Sequence, residues 1–255
     1  MNAFVDVLGA ALWPPADHAS GPFATSEPAP KPHTDLLSAR GRGRASMLTL
    51  LFAHVVEHAS RQAGVDTSRV PIIYGSAYGE MATTIALLDM LVRDDGRLSP
   101  AKFQASVHNT AAGTISIAQR NRSFSTSIAA GHDTIAMALL EARAWLGWRP
   151  GFVVVACADE GAPEALVPDV SYAACAMALV LGNVPSERPA LARLGQLGQT
   201  TTRRADGGGQ DNPCAAGHAL VHAVRTAATS PQRIELSRSA RNPWQVDVIP
   251  PVSSS

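Results

Sequence analysis

The segment that is most informative about the fold class is residues 106–142, SVHNTAAGTISIAQRNRSFSTSIAAGHDTIAMALLEA. It predicts a helix rich in small residues, then a strand, then a long helix over Gly131–Gly147. A strand that ends in small residues and leads into a helix is how α/β enzymes expose a nucleophile. The residue at this turn is Ile128, which has no ionisable group, and the flanking Ser125 and Ser127 do not form a G-x-S-x-G motif. We therefore favour a packed strand-to-helix corner in which the serines cap the helix.

Strand and helix patterns alternate on both sides of this corner. Phe4–Leu12 and the apolar run VPIIYGSAY predict strands, and Ala45–Ala63 and Met81–Val92 predict helices. Three further apolar runs, GFVVVACADE, YAACAMALVLG and ALARLGQLG, predict strands later in the chain. This alternation predicts an α/β sheet with helices on both faces.

No composition shift or internal repeat divides the chain. We expect a single domain over residues 1–255, with a loop over 13–40 and a frayed tail over 248–255. Lys and Arg together number 21, as do Asp and Glu, and this balance argues against a nucleic-acid partner. No apolar run is long enough for a membrane-spanning helix, and the first residues lack the basic segment of a signal peptide.

The three cysteines are widely spaced and odd in number. Cys157, Cys175 and Cys214 therefore predict small buried side chains in a reducing cytosol rather than a disulfide framework. We expect a cytoplasmic protein.

The 106–142 stretch resembles the β-ketoacyl synthases of the thiolase superfamily. Asn109, Ala112, Gly113 and Ile117 fall on the family pattern N-x-x-A-G-x-x-S-I, and Ile128 falls on its catalytic cysteine. The closer resemblance is to the short chain-length-factor subfamily of aryl-polyene and type II polyketide clusters. The resemblance covers residues 35–185, and it implies a thiolase-like N-terminal half with a mixed, mostly parallel sheet of the five-stranded type.

The resemblance also implies a non-catalytic role. The family's catalytic histidines and its H-G-T motif have no counterpart in these 255 residues. A chain without the cysteine thiolate and the histidines should not condense acyl groups alone. We expect a chain-length-factor-like subunit that pairs with a catalytic ketosynthase, shapes its acyl tunnel in polyene, polyketide or fatty-acid-like synthesis, and possesses no cofactor.

The resemblance implies a partner interface and tunnel made from two neighbouring segments. In the family, the strand before the nucleophile pairs antiparallel with its mate across a two-fold axis, and here that strand is Arg122–Ser127. The candidate tunnel and interface residues are Val107, His108, Asn109, Thr110, Arg122, Ser123, Phe124, Ser125, Thr126, Ser127 and Ile128.

Two other functions remain open on the residues alone. One is a free-standing acyl-transfer enzyme that uses Ser125, Ser127 or His132. The other is a homodimeric binding protein on the same half-fold.

Several smaller features suggest weaker sites. Arg40, Arg42 and Arg44 form a basic turn that could bind an acidic acyl carrier protein, although a solvated turn is the more frequent explanation. The Cys214, His218 and His222 spacing suits zinc but has no fourth ligand, so we expect no metal. Asp159 and Glu160 follow a strand and are expected to form a solvated turn.

Overall fold

The computed structural model describes residues 4–14, 31–93, 97–162, 172–201, 212–227, 230–237 and 242–251. They form one eight-stranded sheet in the spatial order β3-β2-β4-β5-β1-β6-β8-β7. The strands are β1 (Val5–Trp13), β2 (Ile72–Gly75), β3 (Ser125–Ile128), β4 (Phe152–Asp159), β5 (Cys175–Gly182), β6 (Ala192–Gln199), β7 (Gln232–Glu235) and β8 (Trp244–Ile249).

Seven helices surround the sheet in the described residues. They are α1 (Ala39–Arg42), α2 (Met47–Ala63), α3 (Met81–Arg93), α4 (Pro100–Gln104), α5 (Thr110–Gln119), α6 (Thr134–Trp148) and α7 (Ala216–Thr226). The α/β class, the mixed sheet and the helices on both faces are confirmed.

The expected number and direction of the strands were wrong. Among the described strands only β2–β3 and β2–β4 pair in parallel, and the other five neighbouring pairs are antiparallel. Two of these antiparallel pairs, β4–β5 and β7–β8, are joined without a described helix, whereas a parallel pair needs a crossover connection. The chain after Leu197 adds β7 and β8 to the sheet, and β8 continues through Ile249, within the segment expected to be frayed.

Each face of the sheet has its own apolar core. Ile72 and Tyr74 point into the cluster that contains α2 and α5, whereas Ile73 points into the cluster that contains α6 and α7. Successive side chains of a strand lie on opposite faces, so the buried runs of β2 and β4 supply both cores.

Helix α2 follows its sequence pattern closely. The Ser46 side chain accepts a hydrogen bond from the backbone N–H of Thr49, and Gly64 ends the helix at φ 69°. Gly9 of β1 lies directly against this helix, because a Cβ there would be 2.1 Å from the Ala59 carbonyl oxygen. The close approach of α2 to the sheet thus depends on a glycine.

Candidate functional site

The carboxyl ends of β2 and β3 carry the corner identified from sequence. Gly75 and Ile128 are register partners, and the backbone N–H of Ser76 donates to the Ile128 carbonyl oxygen at 3.0 Å. A Cβ on Gly75 would be 2.8 Å from the Cys157 Sγ and 2.9 Å from the Thr134 Cγ2. The β2 end is therefore packed too tightly to accept a side chain beside Ile128.

Ile128 itself is half-buried and packs against the α6 core. The chain then turns through Gly131, which has φ 56° and open space where a Cβ would lie, before α6 begins at Thr134. Backbone N–H groups and the helix dipole favour a thiolate at such a turn, but an isoleucine side chain has no charge to stabilise.

The expected serine caps were wrong. The Thr134 hydroxyl accepts a hydrogen bond from the Ala130 N–H at 3.1 Å and donates one to the Gly131 carbonyl at 2.7 Å. Ser125 and Ser127 belong to β3 and lie too far upstream to reach these groups. A threonine within the helix therefore closes the turn.

His108 lies beside the same corner. Its Nε2 is 2.8 Å from the Ser76 carbonyl oxygen, and its ring lies against Gly79, which has φ 64°. Asn109 and Thr110 begin α5 directly after it. The structure thus brings His108, Ser76 and Ile128 together.

The predicted interface residues Arg122, Ser123 and Phe124 lie at the opposite end of β3. The Phe124 ring stacks on Trp145 with centroids 4.4 Å apart, and the Arg149 guanidinium lies 4.6 Å from the centroid of the Trp145 ring. Ser123 donates its hydroxyl to the Arg69 carbonyl. The observed strand is Ser125–Ile128, so it starts three residues later and ends one residue later than the predicted Arg122–Ser127.

Asp159 is not solvated, so that expectation was wrong. Only 2% of Asp159 is exposed, and its carboxylate accepts hydrogen bonds from the Ser76 hydroxyl and from the backbone N–H groups of Ala77 and Tyr78. Burial raises the pKa of Asp159 to about 7, although these three donors act in the opposite direction. Glu160 accepts the Ala82 N–H at the start of α3. These carboxylates fix the loop that follows β2.

Glu80 is a second buried carboxyl in this loop. Its Oε1 accepts hydrogen bonds from the hydroxyls of Ser46 and Thr49, at 2.9 Å and 3.3 Å. Burial raises the pKa of Glu80 to about 7, and the nearby charge of Glu160 acts in the same direction. No periodicity or motif marks Glu80 in the sequence, because its contact with the start of α2 is tertiary.

The basic turn and the candidate nucleophiles Ser125 and Ser127 do not form a defined site in the described residues. Arg42 donates to the carbonyls of Thr34 and Leu37, whereas Arg40 and Arg44 are exposed. Within the part of the chain that the structure describes, the hydroxyls of Ser125 and Ser127 make no hydrogen bond to a histidine or any other base.

No group of three His, Cys, Asp or Glu side chains in the described residues is placed to hold a metal ion. The described helices also include none with the length and apolar character of a membrane-spanning segment.

Comparison with known proteins identifies the family. The sequence model of the β-ketoacyl synthase N-terminal domain matches residues 15–245. The chain belongs to this family. The resemblance inferred from residues 106–142 is thereby confirmed. No curated protein matches this β-ketoacyl synthase homologue.

Solved ketosynthase complexes share the fold. A chain of the ketosynthase ApeO in complex with its chain length factor ApeC, from Xenorhabdus doucetiae, aligns over 96% of this chain and 98% of its own, with 19% identity and a TM-score of 0.70. A chain of AntDE:AntF, a type II polyketide synthase acyl-carrier protein in complex with its ketosynthase, aligns over 98% and 100%, with 10% identity and a TM-score of 0.74.

A further similarity covers only part of a longer chain. The ishigamide ketosynthase/chain length factor aligns over 66% of this chain and 52% of its own, with 18% identity and a TM-score of 0.55. This β-ketoacyl synthase homologue therefore spans about half of that chain. At these identities the likeness shows the thiolase-like fold of the ketosynthases.

Proposed function

We propose that this protein is a non-catalytic, chain-length-factor-like subunit that pairs with a catalytic ketosynthase. The observation that carries the proposal is the half-buried Ile128 at the predicted nucleophile position, where β3 leads through the Gly131–Asp133 turn into α6. An isoleucine at this position lacks the thiol that would attack an acyl thioester. Its role then depends on the surfaces beside that corner.

The first of these surfaces is the open edge of β3. The carbonyls of Phe124 and Ile128 accept hydrogen bonds from β2, so the N–H and C=O groups of Ser125 and Ser127 point away from the sheet. No other described strand pairs with this edge. An unpaired edge supports the addition of an antiparallel strand from a partner, which would extend the sheet through the complex.

The second surface consists of exposed apolar side chains on α5, which contacts β3, and on α3, which follows the loop after β2. Ile117 of α5 is 81% exposed, and a Cβ added to Gly113, one turn earlier, would meet nothing within 4 Å. Helix α3 buries only Leu87 fully, although Leu88 and Leu91 are also apolar. Exposed apolar side chains beside an open strand edge are typical of a surface that a partner protein covers.

We assign the tunnel-shaping role to the predicted residues just before α5, Val107 and His108. Val107 is exposed and directly precedes His108, which contacts the loop after β2. Bulk at these positions would limit the space for a growing acyl chain of the partner, since extra methylenes then meet an occupied volume. The exposed Arg40 and Arg44 are the remaining candidates for binding an acidic acyl carrier protein.

The test is co-expression with a ketosynthase encoded beside this protein. We expect a 1:1 complex by size-exclusion chromatography with light scattering. Ser127→Pro should weaken it strongly, because proline removes an outward N–H that the chain's own sheet does not use. Ile117→Glu should do the same, whereas Leu140→Glu, an exposed apolar residue of α6 that lies beside β6 and β8, is the control and should leave the complex intact.

Product analysis separates tunnel shaping from scaffolding. Val107→Trp should shift the product distribution of the complex toward shorter chains without abolishing synthesis. An unchanged distribution would restrict the subunit to a scaffolding role. A stable dimer of this protein alone, with no binding to the ketosynthase, would support the homodimeric alternative.

A further inference from the structure

Two histidines lie side by side on the solvent-facing side of α2, away from the Ile128 corner. His54 is half-buried, and His58, one turn later, is exposed. Their ring centroids lie 4.1 Å apart, with an angle of 34° between the ring planes. Helix α2 contacts the central strands β1, β5 and β4, whereas Ile128 ends the edge strand β3. The histidine pair is therefore separate from the corner.

Backbone hydrogen bonds fix the tautomer of both rings. The His54 Nδ1 is 2.6 Å from the His33 carbonyl oxygen, and the His58 Nδ1 is 2.8 Å from the His54 carbonyl oxygen. A carbonyl oxygen only accepts, so each Nδ1 carries the hydrogen and donates it. Each neutral ring then has a lone pair on Nε2, and within the described residues neither Nε2 takes part in a hydrogen bond.

This arrangement is the one that histidine adopts when it binds a metal ion. A metal-ligating imidazole commonly donates its other ring N–H to a backbone carbonyl, which orients the ring and makes the free nitrogen more basic. Histidines four residues apart on a helix can bind one ion together. Two nitrogens that are each about 2.0–2.1 Å from one ion lie roughly 3 Å from each other. Neighbouring rings with centroids 4.1 Å apart can meet this requirement.

Glu57, which lies between the two histidines in the sequence, is not a third ligand. Its Oε2 accepts hydrogen bonds from the Thr34 hydroxyl and the Asp35 N–H, both at 2.7 Å, and its Oε1 accepts one from Arg61. Burial lowers the pKa of His54, which favours the neutral ring that a metal ion requires. The protein thus offers two ligands here, consistent with the absence of a three-residue metal group from the described residues.

A second pair with the same spacing, on α7, has a different geometry. His218 is half-buried and interacts with the buried Cys175 thiol, whereas His222 is exposed. Equal spacing therefore places both rings together on α2 but directs one ring into the core on α7. The α7 pair provides a matched control for the α2 pair.

We propose that His54 and His58 bind one divalent transition-metal ion, of the class Ni²⁺, Zn²⁺ or Cu²⁺, through their two Nε2 atoms. Imidazole nitrogens favour these ions over Mg²⁺ and Ca²⁺, which prefer oxygen ligands. Water completes the coordination sphere, because this side of α2 faces solvent. The ion would link two successive turns of α2, and binding to the folded chain should stabilise it.

The first test is calorimetric titration of the full-length protein with Ni²⁺ at neutral pH, without a polyhistidine tag that would bind the same ion. We expect one ion per chain and a Tm that rises with Ni²⁺ concentration. His58→Ala should weaken the affinity at least about tenfold, because the second ligand of the chelate is lost. Its side chain is exposed, so its Tm without metal should match that of the parent. His222→Ala is the control and should keep the parental affinity.

Modification by diethyl pyrocarbonate, which acylates free imidazole nitrogens, locates the site. Trypsin releases residues 45–61, whose only histidines are His54 and His58, and residues 205–225, whose only histidines are His218 and His222. Ni²⁺ should slow the modification of the first peptide and leave the second unchanged. The proposal is overturned if the protein binds no Ni²⁺, if His58→Ala binds it as tightly as the parent, or if the second peptide is protected in place of the first.

Discussion

The Asp159 carboxylate accepts the Ser76 hydroxyl at 2.8 Å and so joins the ends of two adjacent parallel strands, β4 and β2. The same carboxylate holds the backbone N–H groups of Ala77 and Tyr78. One side chain therefore orders the loop that leads from the Ile128 corner to α3.

Asp159→Ala should destabilise the protein by about 3 kcal/mol, because it leaves a buried hydroxyl and two backbone donors without their acceptor. Urea unfolding followed by circular dichroism measures the change. Asp89→Ala removes an exposed carboxylate 3.9 Å from Arg93 and is the control, with an expected effect below about 0.5 kcal/mol. Equal losses in the two variants would contradict the structural role of Asp159.

Stability should fall as the pH rises from about 4.5 to 7. The pKa of Glu80 is raised from 4.5 to about 7 by burial, so in this window the folded state holds a proton that the unfolded state has lost. Asp159 acts with the same sign, since its pKa is also raised to about 7. Unfolding free energies from urea titrations at pH 5, 6, 7 and 8 test the slope.

Glu80→Gln isolates the Glu80 contribution to this pH dependence. The amide cannot ionise, so the variant should have a shallower slope and gain about 1–2 kcal/mol at pH 8 relative to the parent protein. Its stability at pH 4 should change little. A slope identical to that of the parent would show that Glu80 does not titrate in this range.

Two glycines should respond oppositely to alanine. Gly9→Ala should lose about 3 kcal/mol, since the new Cβ would meet the Ala59 carbonyl oxygen at 2.1 Å and force α2 away from β1. Gly113→Ala in α5 should instead gain about 0.5–1 kcal/mol, because its Cβ meets nothing and alanine favours the helix. Thermal and urea unfolding of the isolated protein distinguish the two, and a stable Gly9→Ala variant would be inconsistent with the close β1–α2 contact.

Ile128→Cys should not create a condensing enzyme. It places a thiol at the predicted nucleophile position, but the sequence has no predicted counterpart of the family's catalytic histidines, which stabilise the enolate. Condensation assays with acyl and malonyl carrier proteins should give background rates, with a complete ketosynthase as positive control. Turnover by the isolated variant would show that another group replaces those histidines.

Local sequence patterns predicted the elements that have their own periodicity. The apolar stripe of α2 is buried as expected at Leu48, Leu51, Phe52, Val55 and Ala59. Helix α3 begins at Met81 as predicted, and the continuous apolar run of β4 is buried throughout its centre. The periodicity of apolar residues predicts such elements because it depends on which side of a single helix or strand packs against the core.

Long-range pairing was less predictable. Nothing in the local pattern of β5 indicates that both of its neighbours, β1 and β4, run antiparallel to it. Asp159 reads as an ordinary turn residue until β2 places Ser76 beside it. Cys175 and Cys214 lie 39 residues apart along the chain, and only the fold brings them into contact.

Residue identity along one continuous stretch is enough to indicate the family, through the spacing of Asn109, Ala112, Gly113 and Ile117. The same stretch predicts that Ile128 stands at the nucleophile position. Tertiary packing is needed to establish which strand edge stays open and which carboxyls are buried. These features depend on segments distant in sequence, and burial and hydrogen bonding change the chemistry of a side chain only after such segments pack together.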